Sequence, residues 1–352
     1  MRERYPKFYN DFKCLGGDCP NTCCQGWGVD IDKNTLARYR NVSGPYGAKL
    51  KNILSNHKQF FKLGGSCPFL NKDGLCDIQL NLGEGYLCDV CRRFPREEYV
   101  YGEYAEHSLS PACIEAANMI LENMEFVDKN TDRLVTEYST FDTKIFPYMY
   151  RARDFIFNCI DTMDFDIAIM LIFEFVEYLQ GNFRVYSKID GIIDSFVEKK
   201  DSYNKRFTSC ITEKMIVKLI KKYISLKMLT PDLRDKLDAL LHMIYGGRVK
   251  VGDIVGVFER YRDMKFFSNI AKYFVYKYYL RSVYDYAMAS RAKLAIYTTL
   301  IMILLSVYDM FTLGKIEKGD IAKNLEMVSR EIEHNEDSIK KLTKFFAKKS
   351  SF

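Results

Sequence analysis

Proline, glycine and tryptophan are scarce in this chain of 352 residues, which contains 8 Pro, 20 Gly and 1 Trp. Its hydrophobic fraction is 48% and its charged fraction 28%. This composition excludes a collagen-like, low-complexity or disordered protein, because such chains lack the apolar residues that offset the entropy of ordering. A strong charge excess is also missing, since the formal net charge is +6. Nucleic-acid binders usually carry a larger or more concentrated basic excess, so we expect no nucleic-acid partner.

Long hydrophobic runs are absent as well. The longest run, 294–308, is shorter than the roughly 20 residues that a membrane-spanning helix needs, and we predict a buried core helix there with no transmembrane segment. The N-terminus lacks the apolar core of a secretory signal, so we expect a cytoplasmic protein. A basic amphipathic helix at 211–229 makes peripheral contact with a membrane the secondary expectation. The sequence indicates no oligomeric state.

Histidine is scarce too, with 4 residues, whereas the chain has 11 cysteines. In a reducing compartment such thiols stay free, bind metal or do chemistry instead of forming disulfides. Structural zinc sites usually show paired C-x2-C or paired-histidine motifs, and only one C-x2-C pair is present. All-cysteine ligation from separate loops favours a 4Fe-4S cluster, with zinc as the alternative. The candidate ligands are the nine cysteines of the first 113 residues: Cys14, Cys19, Cys23, Cys24, Cys67, Cys76, Cys88, Cys91 and Cys113.

Local signals predict where the helices begin. In the turn-rich region 1–113, Asp32 is expected to cap a short helix. Ser110-Pro111 is typical of an N-cap followed by the first helical residue, and Thr230-Pro231 repeats that pattern. A helix beginning at Ser110 places Cys113 in its first turn, where the helix dipole favours a thiolate.

From Ser110 onward the pattern is helical. The predicted fold is therefore mainly α: a turn-rich, cysteine-rich metal-binding N-terminal region, residues 1–120, on an all-helical C-terminal body, residues 121–352. Apolar residues recur at helical spacing in eight segments: 145–160, 165–179, 211–229, 233–243, 254–264, 267–288, 292–311 and 321–346.

Several segments together resemble one known family. They are FKCLGGDCPNTCCQGWGVDID at 12–32, CPFLNKDGLCDIQLNLGEGYLCDVCRRFPR at 67–96 and SLSPACIEAANMIL at 108–121. In the second half, KYFVYKYYLRSVYDY at 272–286 and VSREIEHNEDSI at 328–339 add to the likeness. With these segments the chain resembles the flagellin lysine-N-methylases, and its cysteine blocks are also similar to smaller proteins described as zinc- or iron-chelating.

The resemblance implies methyl transfer from S-adenosylmethionine to the ε-amine of surface lysines on flagellin. It also implies an oxygen-sensitive 4Fe-4S cluster held by the nine cysteines as a set, without choosing four among them. The cluster motif of radical adenosylmethionine enzymes, C-x3-C-x2-C, is incomplete, because Gly26 stands where the third cysteine would be. A non-enzymatic metal-binding scaffold or chelating protein is the alternative function.

Two further residue groups are candidates for the chemistry of methyl transfer. Aromatic faces bind cations, so a cage for the sulfonium of the methyl donor is one hypothesis, and a packed aromatic stripe is the other. On the last predicted helix, Arg330 and His334 share a face that points away from the apolar stripe, with Glu333 as a weaker candidate base. The tyrosines of the hypothetical cage are Tyr273, Tyr276, Tyr279, Tyr284 and Tyr286.

Overall fold

The computed structural model describes residues 1–54, 65–134, 140–262 and 264–348, and most of these residues are helical. The helices of the N-terminal part are short: α1 (Lys33–Arg40), α2 (Gly44–Leu54), α3 (Asp77–Leu82), α4 (Asp89–Arg93) and α5 (Ile114–Glu122). The helices that follow are mostly longer: α6 (Phe146–Thr162), α7 (Phe165–Asn182), α8 (Ile189–Lys200), α9 (Glu213–Ile224), α10 (Asp232–Tyr245), α11 (Val251–Arg260), α12 (Phe266–Tyr278), α13 (Ser282–Asp285), α14 (Met288–Leu313), α15 (Lys318–Glu333) and α16 (Glu336–Phe346).

A small mixed sheet accompanies the helices. Its strands are β1 (Arg2–Pro6), β2 (Arg96–Tyr101), β3 (Tyr104–Leu109) and β4 (Phe126–Asn130), in the order β2-β3-β1-β4. β1 pairs in parallel with β3 and antiparallel with β4. The mainly α fold is confirmed, but the expectation of an all-helical body from residue 121 is wrong, because β4 belongs to this sheet. Strand β1 supplies the backbone partners that hold β4 extended.

The buried apolar residues form separate cores. The large core lies in the helical body, where α14 is surrounded by α7, α10, α11, α12, α15 and α16. A smaller core beneath the cysteine-rich region includes Trp27, Tyr39, Leu50, Phe69 and Cys88. The cysteine-rich region therefore has packing of its own, although it is small.

Helix α14 is long and apolar enough to cross a membrane by length and composition alone. However, 83% of its most apolar window is buried inside the protein. Neighbouring helices cover most of it, so its packing is that of a core helix, as the sequence predicts for 294–308.

The predicted helix starts are correct in one case and wrong in two. Asp32 caps α1, accepting a hydrogen bond from the backbone N–H of Thr35 at 2.8 Å. Helix α5 begins three residues later than expected, so that Cys113, and not Ser110, is its N-cap. Thr230 caps nothing, because its N–H and its hydroxyl both donate to the carboxylate of Glu331 at 2.9 Å.

The last predicted helix, 321–346, is two helices in the structure. Helix α15 ends at Glu333, His334 is its C-cap, and α16 starts at Glu336. The break turns the backbone at His334 and places that side chain at the surface of a cavity in the cysteine-rich region.

Candidate functional site

A cavity of about 820 Å³ lies within the cysteine-rich region. We call it the cysteine cavity, because its lining includes all nine predicted ligand residues: Cys14, Cys19, Cys23, Cys24, Cys67, Cys76, Cys88, Cys91 and Cys113. Its volume falls in the range of small-molecule binding sites and exceeds what one metal ion needs. Cysteines that are up to 99 positions apart in the sequence therefore converge on one space.

Short local structures hold these thiols in place. The backbone N–H of Cys67 donates to the carbonyl of Cys24 at 2.8 Å, which joins two of the cysteine segments. Cys76, Cys88 and Cys113 are the N-caps of α3, α4 and α5. At these positions the free N–H groups of the first helical turn lie near the sulfur.

Two thiols in the cavity ionise easily. The sulfurs of Cys88 and Cys91 are 3.3 Å apart and share a hydrogen bond, which lowers the pKa of Cys88 to about 7. A hydrogen bond from Cys23 lowers the pKa of Cys24 to about 6 in the same way. A hydrogen bond to the thiolate favours the charged form. In each pair, therefore, one cysteine loses its proton easily and its partner keeps its own.

Burial has the opposite effect elsewhere in the cavity. It raises the pKa of Cys67 to about 12 and that of Cys113 to about 11. The N–H groups of Glu115 and Ala116 do stabilise the Cys113 thiolate, but burial outweighs them. The helix terminus does favour the thiolate at Cys113, as expected, but burial decides the direction in which the pKa of Cys113 moves.

The distances between the side chains of the cavity bear on whether they could hold a metal ion. Among the described residues, no group of three Cys, His, Asp or Glu side chains is arranged so that it could hold a metal ion. Tetrahedral zinc with Zn–S bonds of about 2.3 Å would bring its sulfurs to within about 3.8 Å of one another. The nine thiols surround the cavity without such an arrangement.

An aromatic wall lies beside the thiols. The rings of Trp27 and His334 are stacked, with centroids 4.5 Å apart, and Phe94 packs against both. All three residues line the cysteine cavity. These three rings give the cavity an aromatic surface in addition to its sulfur atoms.

His334 is open to the cavity although protein atoms surround it closely. Burial, together with the nearby Lys277 and Arg330 cations and against the effect of Glu97, lowers its pKa to about 4. The imidazole is therefore neutral at pH 7. The neutral ring can stack on a planar or cationic ligand without repelling it, and its unprotonated nitrogen can accept a proton.

Arg330 supports this wall from behind. Its guanidinium lies 4.6 Å from the Trp27 ring centroid, and its Nη2 donates to the carbonyls of Asn21 at 2.9 Å and Thr22 at 3.2 Å. The same side chain forms an ion pair with Glu326 at 3.0 Å. Arg330 thus fixes the loop that carries Cys19, Cys23 and Cys24, and it does not itself line the cavity.

Glu333 faces away from the cavity and is almost completely buried, with 1% of its side chain exposed. It forms an ion pair with Lys277 at 3.0 Å, and Lys277 also pairs with Glu97 at 2.6 Å. Although burial alone would lower it, these two carboxylates hold the pKa of Lys277 well above its usual value. In this conformation Glu333 cannot reach a substrate in the cavity, which leaves it the role of holding the wall in place.

The five candidate tyrosines do not form one cage in the structure. Tyr273, Tyr276 and Tyr279 are buried in the helical body, where Tyr273 donates to Glu333 and Tyr276 to backbone carbonyls. Tyr284 packs near Tyr101, and Tyr286 donates to Asp142; both are partly exposed. None of the five lines the cysteine cavity.

Sequence reasoning missed the aromatic residues of the cavity wall. Trp27 is the only tryptophan of the chain and lies inside the first cysteine block, which was the available signal. Phe94 lies next to the C-x2-C pair in the same way. Lys277 gave no signal, because it is embedded in an aromatic helical segment. Gly26 has a φ of +95°, a conformation that glycine adopts easily, which gives a structural reason for glycine at that position.

Comparison with known proteins gives the family. The model of the FliB lysine N-methylase C-terminal domain matches residues 153–352. The chain is 29% identical over 202 residues to the lysine-N-methylases of Salmonella choleraesuis and Salmonella typhimurium, which is 53% of this chain and 48% of each relative. It is 34% identical over 129 residues to the flagellar biosynthetic protein FliU of Salmonella muenchen, which is 34% of this chain and 76% of that protein.

No solved structure matches the chain. The chain spans about half the length of the two lysine-N-methylases that it matches. The family model, in contrast, covers more than half of this chain, from α6 through α16, and includes the cavity residue His334 together with its support Arg330. On this match, the chain belongs to the FliB lysine N-methylase family.

Proposed function

We propose that this protein transfers methyl groups from S-adenosylmethionine to lysine side chains of flagellin, in the cytoplasm. Family membership supports the reaction type, and the flagellar name of one relative supports the substrate. The observation that carries the proposal is the convergence of nine thiols and the Trp27–His334 wall on one cavity. The free thiols suit a reducing compartment.

The cysteine cavity is the proposed place of reaction. Its aromatic wall of Trp27, Phe94 and His334 suits the donor, since aromatic rings stack on an adenine ring and attract a cation such as the sulfonium. Because His334 is neutral at pH 7, it adds no positive charge to oppose the sulfonium. The volume of about 820 Å³ leaves room for a donor beside a metal centre.

An acceptor lysine must lose its proton before it reacts, since its ordinary pKa is about 10.4. Removal of the lysine side chain from water in the cavity disfavours its charged form and so lowers that pKa. In the proposed step the nitrogen lone pair forms a bond to the methyl carbon while the carbon–sulfur bond breaks, leaving neutral S-adenosylhomocysteine. Before that step the ammonium gives up its proton to water, because His334, with a pKa of about 4, is too weak a base to hold it at neutral pH.

We further propose that the nine cysteines hold a 4Fe-4S cluster. They suit such a group, because thiolate sulfur is a soft ligand and all nine line one space larger than a single ion needs. When bound, a cluster of this kind supplies iron atoms whose potential depends on charge, hydrogen bonding and exposure. Zinc is the alternative group.

The test begins with anaerobic purification and measurement of iron, sulfide and zinc. We expect about four iron and four sulfide per chain, and methylation of flagellin lysines by S-adenosylmethionine, detected by mass spectrometry. Zinc without sulfide, persisting after cluster reconstitution, would contradict the cluster. Absence of methylation by the reconstituted protein would contradict the proposed reaction.

A matched pair of variants separates a role of the thiols from general damage. The variant Cys88→Ser with Cys91→Ser removes two cavity thiols and should lose both iron and methylation. The control Cys210→Ser changes an exposed cysteine outside the cavity and should keep both. Equal iron content in the two proteins would show that Cys88 and Cys91 are not ligands.

A further inference from the structure

Helices α9 and α16 form a lysine-rich surface outside the cysteine cavity. Together with the two residues after α16 they contain eight lysines and only three acidic residues, Glu213, Glu336 and Asp337. That excess accounts for most of the formal net charge of +6 of the whole chain. We call this surface the lysine face: Lys214, Lys218, Lys221, Lys222, Lys340, Lys341, Lys344 and Lys348.

The lysines point outward because the apolar stripes of both helices are buried in the helical body. Seven of the eight are exposed, and Lys222 is half-buried. Neighbouring α10 carries Asp232, Asp235 and Asp238 beside Arg234 and Lys236, and so offsets only a small part of the charge. The buried stripes are Ile216, Leu219, Ile220 and Tyr223 on α9, and Ile339, Leu342 and Phe346 on α16.

The lysines of the two helices lie close to one another. The ammonium groups of Lys218 and Lys222 stand 5.9 Å and 5.4 Å from the centroid of the same Phe345 ring. Burial, together with the positive charges of Lys341 and Lys348, lowers the pKa of Lys222. Cations from both helices therefore build one continuous positive surface.

This surface leads to the cysteine cavity. Two contacts join α9 and α16: the Lys222 ammonium lies 5.4 Å from the Phe345 ring centroid, and Asn335, just before α16, donates to the carbonyl of Lys227, just after α9, at 3.0 Å. Next to that junction, Leu229 and His334 line the cavity. One end of the lysine face therefore meets the cavity wall.

We propose that the lysine face binds an acidic segment of the acceptor protein and guides a neighbouring lysine into the cysteine cavity. This inference rests on the proposed methyl transfer for the identity of the acceptor. A lysine approaching a positive surface is repelled unless acidic residues accompany it. A membrane is the less suitable partner, since the apolar stripes that would enter a bilayer are already buried.

The test compares two triple variants. Lys221→Gln, Lys341→Gln and Lys344→Gln reduce the charge of the lysine face, and Lys51→Gln, Lys144→Gln and Lys188→Gln make the same change in charge at exposed positions elsewhere. The probe is a fluorescent glutamate-rich peptide with one central lysine, and its affinity is measured by anisotropy without methyl donor. We expect about tenfold weaker binding for the first variant only.

Salt and competing ligands complete the test. Raising the salt from about 0.05 M to about 0.5 M should remove the difference between the variants, because exposed charges are then screened. Equal peptide affinities for the two triple variants at low salt would overturn the proposal. Lysine-dependent binding of phosphatidylglycerol vesicles or duplex DNA, without binding of the peptide, would overturn it too.

The binding readout separates this inference from the proposed reaction. In methylation assays the lysine-face variant should show a raised KM for the acceptor with kcat unchanged, as expected when only substrate binding is lost. A protein that binds the peptide but never methylates it would refute the proposed reaction and leave the docking surface standing. Methylation with the same KM in both variants would refute the docking surface alone.

Discussion

At the scale of single residues, the fluorescence of Trp27 can report ligand binding in the cysteine cavity. It is the only tryptophan of the chain, and it lies in the cavity wall against His334. We predict that S-adenosylhomocysteine quenches the tryptophan fluorescence of the anaerobic protein with a saturable dose dependence. His334→Leu should weaken that binding about tenfold, because it removes the stacking surface.

His242, which lies outside the cavity on the exposed face of α10, offers the matched control. His242→Leu should bind the analogue as the unchanged protein does. If S-adenosylhomocysteine binds, as shown by calorimetry, but leaves the fluorescence and the His334→Leu affinity unchanged, the donor lies elsewhere in the molecule.

The low pKa of His334 also predicts a pH effect on stability. Its pKa is about 4 in the folded protein and 6.5 as a free side chain, so the unfolded chain binds more protons between these values. The free energy of unfolding should therefore fall as the pH drops from about 6.5 to about 4. Urea titrations at pH 7 and pH 5 should show that His334→Gln loses less free energy of unfolding between these pH values than the unchanged protein does. An equal loss in the two proteins would show that the pH effect comes from other groups.

The buried pair of Lys277 and Glu333 makes a prediction about stability. Lys277→Met leaves the carboxylates of Glu333 and Glu97 without their cation, which should cost about 3–5 kcal/mol of the free energy of unfolding. Adding Glu333→Gln to that variant should recover part of the loss, since one buried charge is removed. Urea denaturation measures both, and a double variant no more stable than Lys277→Met would show that Glu333 is not charged in this cluster.

Single residues also show how much of the candidate site could be predicted from the sequence. The nine cysteines could be predicted as one group because thiols in that number and spacing have few other uses in a reducing compartment. The roles of Arg330 and Glu333 could not, since both belong to α15 and their opposite directions, toward Trp27 and toward Lys277, depend on packing across distant segments. The two hypotheses for the tyrosines could not be separated from the sequence, because an aromatic stripe packs a core as readily as it binds a cation; Tyr273, Tyr276 and Tyr279 are packed in the core.

At the scale of secondary structure elements, Asp32 links two helix termini. One carboxylate oxygen accepts from Thr35 N–H at 2.8 Å in α1, and the other accepts from Asp89 N–H at 3.0 Å at the start of α4. These hydrogen bonds offset the effect of burial and lower the pKa of Asp32 to about 2. The side chain therefore stays charged and joins the helix that carries Cys91 to the rest of the region.

Asp32→Ala should destabilise the cysteine-rich region by about 1 kcal/mol, the typical value of a helix cap. Faster hydrogen exchange in both α1 and α4 would show that the two helix termini are linked. Asp164→Ala is the matched control, since Asp164 caps α7 in the helical body. Faster exchange in α1 alone would show that Asp32 is only a local cap.

Where local sequence signals predicted a helix boundary wrongly, tertiary contacts determine the boundary in the structure. The cap signal at Thr230 failed because Glu331, about a hundred positions away, takes its hydrogen bonds. The single helix predicted for 321–346 breaks at His334, where no proline or glycine marks the end. The core helix α14 could be predicted, because a long apolar run needs no knowledge of its partners.

At the scale of the whole molecule, a small sheet ties the two predicted regions together. Strands β1 and β4, near each end of the first 130 residues, pair along their full length. The Arg4 guanidinium reinforces them by donating to Asp128 of β4 and to Asp154 of α6. The sequence could not indicate the whole sheet, since its strands are short and β1 pairs with β3 and β4 across about a hundred positions or more.

The separate cores predict how removal of the proposed metal group would affect the stability of each region. The cysteine-rich region has a small core of its own, whereas α14 and its neighbours share a large one. If bound metal contributes folding energy to the cysteine-rich region, removing it with an iron chelator under reducing conditions should speed hydrogen exchange in α3 and α4. Exchange in α14 should not change, because its contacts lie in the large core. Equal acceleration in both regions would show one cooperative unit, and no acceleration in α3 and α4 would show that the thiols hold their positions without metal.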